Sequence, residues 1–205
     1  MAVKLTKNEQ KKQKDQLKQF QRYLPTLQLK KQQLQVVIRK IEDELVKLRS
    51  EQTKVVEDQK SWVAVFSENT SFDKDLSLEK IVLCDHVVRK VGNIAGVSIP
   101  VFEDLKFKEI SYDFSKYPLW VDRAVLALKE IARLDAMIST LDLQVSLLEK
   151  ELRVTSQRVN LFEKVKIPEA KSNIRKISIY LGDQQTTAVV RGKIAKKKLA
   201  KVAGL

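Results

Sequence analysis

Residues 120–162 read WVDRAVLALKEIARLDAMISTLDLQVSLLEKELRVTSQRVNLF, and the spacing of their apolar side chains decides the fold. Trp120, Ala124, Ala127, Ile131, Leu134, Ile138, Leu141, Val145, Leu148, Leu152, Thr155, Val159 and Phe162 recur in alternating steps of four and three, and twelve of these thirteen are apolar. A 3–4 alternation sustained this long is a coiled-coil seam rather than the broader stripe of an ordinary amphipathic helix. Working outward, a mate stands earlier in the chain: Leu17, Phe20, Leu24, Leu27, Lys31, Leu34, Ile38, Ile41, Leu45, Leu48, Gln52, Val55, Gln59, Trp62 and Phe66, of which twelve of fifteen are apolar. The flanking positions are mostly Lys, Gln, Glu and Arg. Pairs such as Asp43 with Lys47 and Glu149 with Arg153 add i,i+4 support outside the seam.

After Phe162 the phase slips by one residue and the seam resumes as Ile167, Ala170, Ile174, Ile177 and Leu181. Pro168 sits at the slip, so a kink or a local adjustment of the supercoil is expected there. Pro25 interrupts the first series in the same way, and the first helix is expected to begin near it or bend at it. The fifty or so residues between the seams follow a period of two instead. Val87, Arg89 and Val91 alternate with Val88 and Lys90, Gly92 to Gly96 read as a turn, and Val97, Ile99 and Val101 alternate after it. Leu105 and Phe107 then alternate with lysines, which completes a β-hairpin pattern. Pro118 closes this segment and permits a helix to start.

Two seams of matched length in one chain, joined by a segment able to reverse direction, imply an all-α fold: a long antiparallel two-helix coiled coil, or helical hairpin, with a small middle segment containing a β-hairpin. Three parts follow: an N-terminal coiled-coil helix over 1–66, the middle segment over 67–119, and a C-terminal coiled-coil helix with a Lys-rich tail over 120–205. At 1.5 Å per residue the helices would run roughly 90 and 120 Å, and neither could bury its seam alone. Antiparallel folding would bring Phe66 near Trp120 and Leu24 near Phe162. It would also gather the basic ends at one tip and place the β-hairpin at the other.

Composition agrees with long helices. The 205 residues contain only five glycines and four prolines. A single cysteine, Cys84, excludes a disulfide framework and a Cys-based zinc site. No apolar run is long enough to span a membrane, and the polar, Lys/Gln-rich start resembles no signal peptide. A cytoplasmic protein, peripheral to any membrane it serves, is expected. The net charge of +13 is uneven: residues 1–50 carry 13 basic and 5 acidic side chains, residues 51–163 carry 15 and 19, and residues 164–205 carry 11 and 2. Basic ends suit nucleic acid, an anionic membrane surface or acidic protein surfaces.

Little chemistry is written in these residues. No phosphate-cradling Gly-x-x-x-x-Gly-Lys-Ser/Thr loop occurs, and Gly92 to Gly96 has neither its length nor its lysine. His86 is the sole histidine; a pairing with Cys84, two residues away on a strand, lacks any orienting third group or oxyanion motif. Glu42, Asp43 and Glu44 read as a solvated flank rather than an acid–base pair. Lys11, Lys12 and Lys14, with Lys196, Lys197 and Lys198, have the charge to neutralise phosphates. They lack the stacking aromatics or groove-reading helix of nucleic-acid modules, so docking on acidic protein surfaces is the better reading. No catalytic residue, metal site or cofactor is expected.

The residues around the slip are more specific. Arg158-Val159-Asn160-Leu161-Phe162-Glu163, then Ile167-Pro168, then Ile174, Ile177 and Leu181 before a Lys-rich end, resemble the C-terminal signature of the D subunit, the central rotor stalk, of the V-type and A-type rotary ATPases. Leu27 to Leu34 resemble that family's first helix, and Gly92, Gly96, Val97, Ile99 and Pro100 its middle region. Phe162, and residues 182–187, depart from the usual pattern. The resemblance implies a non-catalytic rotor shaft in the central stalk of a proton- or sodium-translocating complex. It further implies three sets of partners: catalytic and regulatory ATPase subunits forming a hexameric ring, a small central-stalk subunit, and an adaptor on the membrane ring. A coiled-coil scaffold or tether, binding acidic proteins or nucleic acid, is the alternative that the residues leave open.

Overall fold

A computed structural model describes residues 3–67, 81–108, 110 and 120–202. In chain order they form helix α1 (Lys7–Ser67), strands β1 (Cys84–Ile94) and β2 (Val97–Phe107), helix α2 (Val121–Leu161), a π-helical turn (Phe162–Lys166) and helix α3 (Ile167–Val202). Helix α1 starts where its chemistry allows. Thr6 caps it, its hydroxyl oxygen accepting the Glu9 N–H at 3.3 Å and its carbonyl accepting the Gln10 N–H at 3.0 Å. The helix thus begins well before Pro25, which lies inside it. Pro25 and Gln21, four residues earlier, are both exposed, so the carbonyl that Pro25 cannot satisfy is open to water.

The seams hold. Every seam position whose side chain is described, from Leu17 to Gln59, from Trp120 to Phe162 and from Ile167 to Leu181, is buried or half-buried. Trp62 and Phe66 fall in α1, but their side chains lie outside the described residues, as does Pro118. The packing falls into two compact units, Met1–Lys31 with Val154–Leu205, and Gln32–Arg153.

In the Gln32–Arg153 unit the helices run antiparallel, because ascending positions of α1 meet descending positions of α2. Arg49 reaches both carboxylate oxygens of Asp142 at 3.0 Å, and Gln52 Nε2 donates to Asp135 Oδ1. Leu34, Ile38, Ile41, Leu45, Leu148 and Ile99 of β2 form one buried apolar cluster. Strands β1 and β2 pair antiparallel from Ile94↔Val97 outward, with irregularities between Cys84 and His86 and between Val88 and Arg89. The turn is tighter than the five residues expected. Gly92, Asn93 and Ile94 belong to β1, and only Ala95 and Gly96 turn, both at positive φ (51° and 81°). Two successive left-handed residues match the right-handed twist of the strands, and Asn93 Oδ1 stabilises the turn by accepting the Gly96 N–H at 3.0 Å.

The hairpin does not stand beyond the end of the helices, as the sequence suggested. Ile94, Ala95 and Val97 at its turn end pack, with Ile99, against the α1–α2 cluster, and Ile81 packs near its base with Val121 and Val125 of α2. The reason is general: two strands alone are marginal in water, and Ile99 and Leu105, each 3% exposed, need a surface to cover them.

In the other unit the expected kink takes a defined form. The Ile167 N–H donates to the Phe162 carbonyl, five residues back, within the π turn. One π turn accommodates one extra residue in a helix, which is the slip between Phe162 and Ile167. Phe162 stacks on Phe20 with centroids 5.3 Å apart and planes 25° from parallel; Phe20 thus takes the place expected of Leu24, one turn away. Helix α3 then continues through Gly182 and Gly192, neither of which has any side-chain neighbour within 4 Å of a would-be Cβ.

Candidate functional site

The signature residues do not converge on a pocket. Arg158 and Asn160, in the last turn of α2, are exposed, whereas Val159 between them is buried in the seam. Glu163 is exposed on the π turn, Ile167 is half-buried and Pro168 is exposed. The string thus splits by helical geometry into seam residues (Val159, Ile167) and an outward polar set (Arg158, Asn160, Glu163). Lys166 and Glu169 form a loose i,i+3 ion pair at 3.9 Å beside them. A pairing this exposed contributes little stability, which leaves its charges available to a partner. Lys196, Lys197 and Lys198 are all exposed near the end of α3, as is every described side chain from Gly182 to Lys201.

The second set of residues is held by the hairpin. Gly92 faces Ile99 across the ladder, and a Cβ there would come within 2.9 Å of Val101 Cγ2. Gly96 supplies one of the two positive φ values. Val97 and Ile99 face the helices, and the Pro100 carbonyl accepts a hydrogen bond from Gln144 Nε2 of α2. Arg89 Nε donates to Thr140 Oγ1 at 3.2 Å, Arg133 pairs with Asp104 at 3.1 Å, and Lys129 lies over the Phe107 ring at 5.6 Å. The solvent side of the hairpin is mixed: Val91 is 83% exposed, and Lys90 pairs with Glu103.

Thr140 and Gln144 escaped the sequence reading. They are buried polar side chains, 0% and 6% exposed, on a flank where polar residues are the rule. Only the hairpin's presence distinguishes them. Cys84 and His86 are both exposed, and the ladder shifts register between them. His86 Nδ1 lies 2.8 Å from Asp85 Oδ2 instead of turning towards the thiol. Among the described residues no group of His, Cys, Asp and Glu is placed to hold a metal ion, and no helix is long and apolar enough to cross a membrane.

What the described residues present is packed seams and outward polar side chains, Arg158, Asn160 and Glu163 among them, rather than a cluster of catalytic groups. Residues 9–197 match the family of the ATP synthase D subunit. The chain belongs to the ATP synthase D-subunit family. It is similar to the V-type ATP synthase D subunit of Borreliella burgdorferi, 52% identical over 199 residues that cover 97% of this chain and 96% of the relative. The Chlamydia pneumoniae protein of the same name is 34% identical over 199 residues, covering 97% and 94%. That of Chlamydia abortus is 36% identical over 200 residues, covering 96% and 93%. The family drawn from Arg158–Glu163 and Ile167–Pro168 is therefore the right one. As a member, the chain is a non-catalytic stalk subunit of a V-type rotary ATPase, assembled with partner subunits.

Proposed function

We propose that this stalk protein is the torque-carrying shaft of its complex. In this reading the basic Met1–Lys31 and Val154–Leu205 unit sits within a hexameric ring of catalytic and regulatory ATPase subunits. The middle segment over 67–119 lies towards the membrane, near a small central-stalk subunit and an adaptor on the ion-carrying ring. The outward set Arg158, Asn160 and Glu163 meets the ring wall, and Lys196, Lys197 and Lys198 meet acidic loops lining the ring. The complex is cytoplasmic and peripheral on this side of the membrane, and the shaft couples ATP turnover to proton or sodium movement.

The observation that supports this most is the distribution of charge. Residues 1–31 and 154–205 hold 21 basic and 5 acidic side chains, and residues 32–153 hold 18 and 21, so the first unit carries the entire positive excess. A positive surface suits acidic loops around it and speeds insertion by steering. A helix pair also transmits twist with no active site of its own.

The test compares two truncations in reconstituted complexes. Removing residues 193–205 should leave binding to the small stalk subunit and the adaptor intact while weakening ring binding and the coupling of ATPase rate to ion transport. Removing the hairpin turn should spare insertion into the ring. If the tail deletion abolishes membrane-side docking and spares the ring, the orientation is inverted. If neither deletion changes any rotary-ATPase contact, the shaft reading fails and a coiled-coil tether replaces it.

A further inference from the structure

We infer that Thr140 and Gln144 are positioning residues that key the β-hairpin to a single register along α2. This inference concerns the folded chain itself and does not rest on the torque reading. Apolar contacts alone would not set the register. The apolar contacts with the helices are Ile94, Val97 and Ile99 at the turn end of the hairpin and Ile81, just before β1, at the other, and such contacts tolerate sliding because they have no direction.

Between them lie two part-buried directional contacts, one from each strand; the Arg133–Asp104 pair and the Lys129–Phe107 contact also join β2 to α2, but the ion pair is about half exposed and water weakens it. Arg89 of β1 donates to Thr140, and Pro100 of β2 accepts from Gln144. The spacings match. Thr140 and Gln144 are four residues apart, about 6 Å along a helix. Arg89 pairs with Phe102, and Pro100 pairs with Val91, two positions nearer the turn, about 7 Å along a strand.

The donor inventory makes the match exclusive. The Thr140 hydroxyl has one hydrogen, already committed to the Ala136 carbonyl at 2.7 Å, so towards the hairpin it only accepts. Arginine only donates, and it faces this acceptor. Were the hairpin to slip one helical turn towards its base, the Pro100 carbonyl would face the Thr140 oxygen, acceptor against acceptor. A slip of one turn the other way would put that carbonyl against Leu148, which is fully buried and apolar. Either slip strands a polar group out of water, the penalty by which buried polar residues specify register elsewhere.

Cys84, the single cysteine and exposed at the start of β1, makes this measurable. In the full-length chain a nitroxide on Cys84 and a second on K47C, at an exposed α1 site, report the hairpin's position by pulsed electron–electron resonance. The parent and Thr140→Ser, which keeps the hydroxyl, should give one narrow distance. The double variant Thr140→Val with Gln144→Leu keeps size but removes both polar groups. It should add a second population displaced by about one helical turn, roughly 5 Å, with helical circular dichroism unchanged. A single parental distance in the double variant would show that apolar packing and the Arg133–Asp104 and Lys129–Phe107 contacts set the register, and would overturn the inference. Should the double variant lose helix, Arg89→Met leaves the helices untouched and carries the test: a second distance supports the key, and one parental distance refutes it.

Discussion

The two packing units share the same helices yet solve different problems. In Gln32–Arg153, a third layer covers the helix pair: the hairpin adds Ile99 to a cluster with Leu34, Ile38, Ile41, Leu45 and Leu148. In the unit of Met1–Lys31 and Val154–Leu205, the buried side chains among the described residues all lie on the seam, at Thr155, Val159, Ala170 and Ile177, with Phe20 stacked on Phe162. Gln32–Arg153 is close to neutral and rich in tertiary contacts. The other unit is strongly basic and exposed over its last twenty described residues. Where a helix pair is covered by a further element its stability comes from a cluster. Where it is not, stability comes from a single seam, and the surface remains free for partners.

That contrast can be broken first at its strongest point. Leu148→Lys places an unpaired charge at a position with no exposed surface, which costs several kcal/mol, about 3–5 by the behaviour of broken buried pairs. Thermal unfolding should shift steeply downward. Hydrogen exchange should show lost protection in the middle of α1 and in the hairpin before the Phe20–Phe162 region. Loss of protection everywhere at once would mean that the two units are one cooperative block.

Ile99→Ala removes one of the hairpin's two most buried side chains, 3% exposed. A loss of about 2–4 kcal/mol is expected for such a truncation in a core, read from denaturant midpoints, with faster amide exchange along β1 and β2 but not along α3. A change below about 0.5 kcal/mol would mean that the hairpin adds nothing to the cluster.

In the basic unit the largest single aromatic contact is smaller. A double-mutant cycle on Phe20→Leu and Phe162→Leu should give a coupling of about 0.5–1.5 kcal/mol, the range for stacked rings. No coupling would detach the two rings and with them the register of α1 against the π turn.

Least of all should depend on the exposed ion pair. Arg49→Ala, opposite Asp142 with both side chains about half exposed, should change stability by about 0.2–1 kcal/mol, fading in high salt. Lys47→Ala, on the flank of the seam, should stay within about 0.5 kcal/mol. If either equals Leu148→Lys, the seam assignment is wrong.

The hairpin shows how legibility stopped partway. Its strands were readable from Val87 to Val91 and from Val97 to Val101, because alternation with a period of two is local. Its tight Ala95-Gly96 turn was not, since Gly92 also invites a turn and only the ladder shows that Gly92 is needed beside Val101. The outward residues Arg158, Asn160 and Glu163 were readable as a signature but not as a surface, because exposure depends on which face the seam consumes.

By itself the sequence determined the two seams, their antiparallel pairing and the one-residue slip after Phe162. All three follow from side-chain spacing against a fixed helical period, and spacing is a property of the chain alone. Tertiary structure decided how the slip is absorbed, as a π turn ahead of Pro168, and where the hairpin lies. It also singled out Thr140 and Gln144 from dozens of similar polar flank residues. Those outcomes turn on which atoms meet across long sequence separations, and a polar side chain on a helix flank looks the same in sequence whether water or Pro100 is its partner.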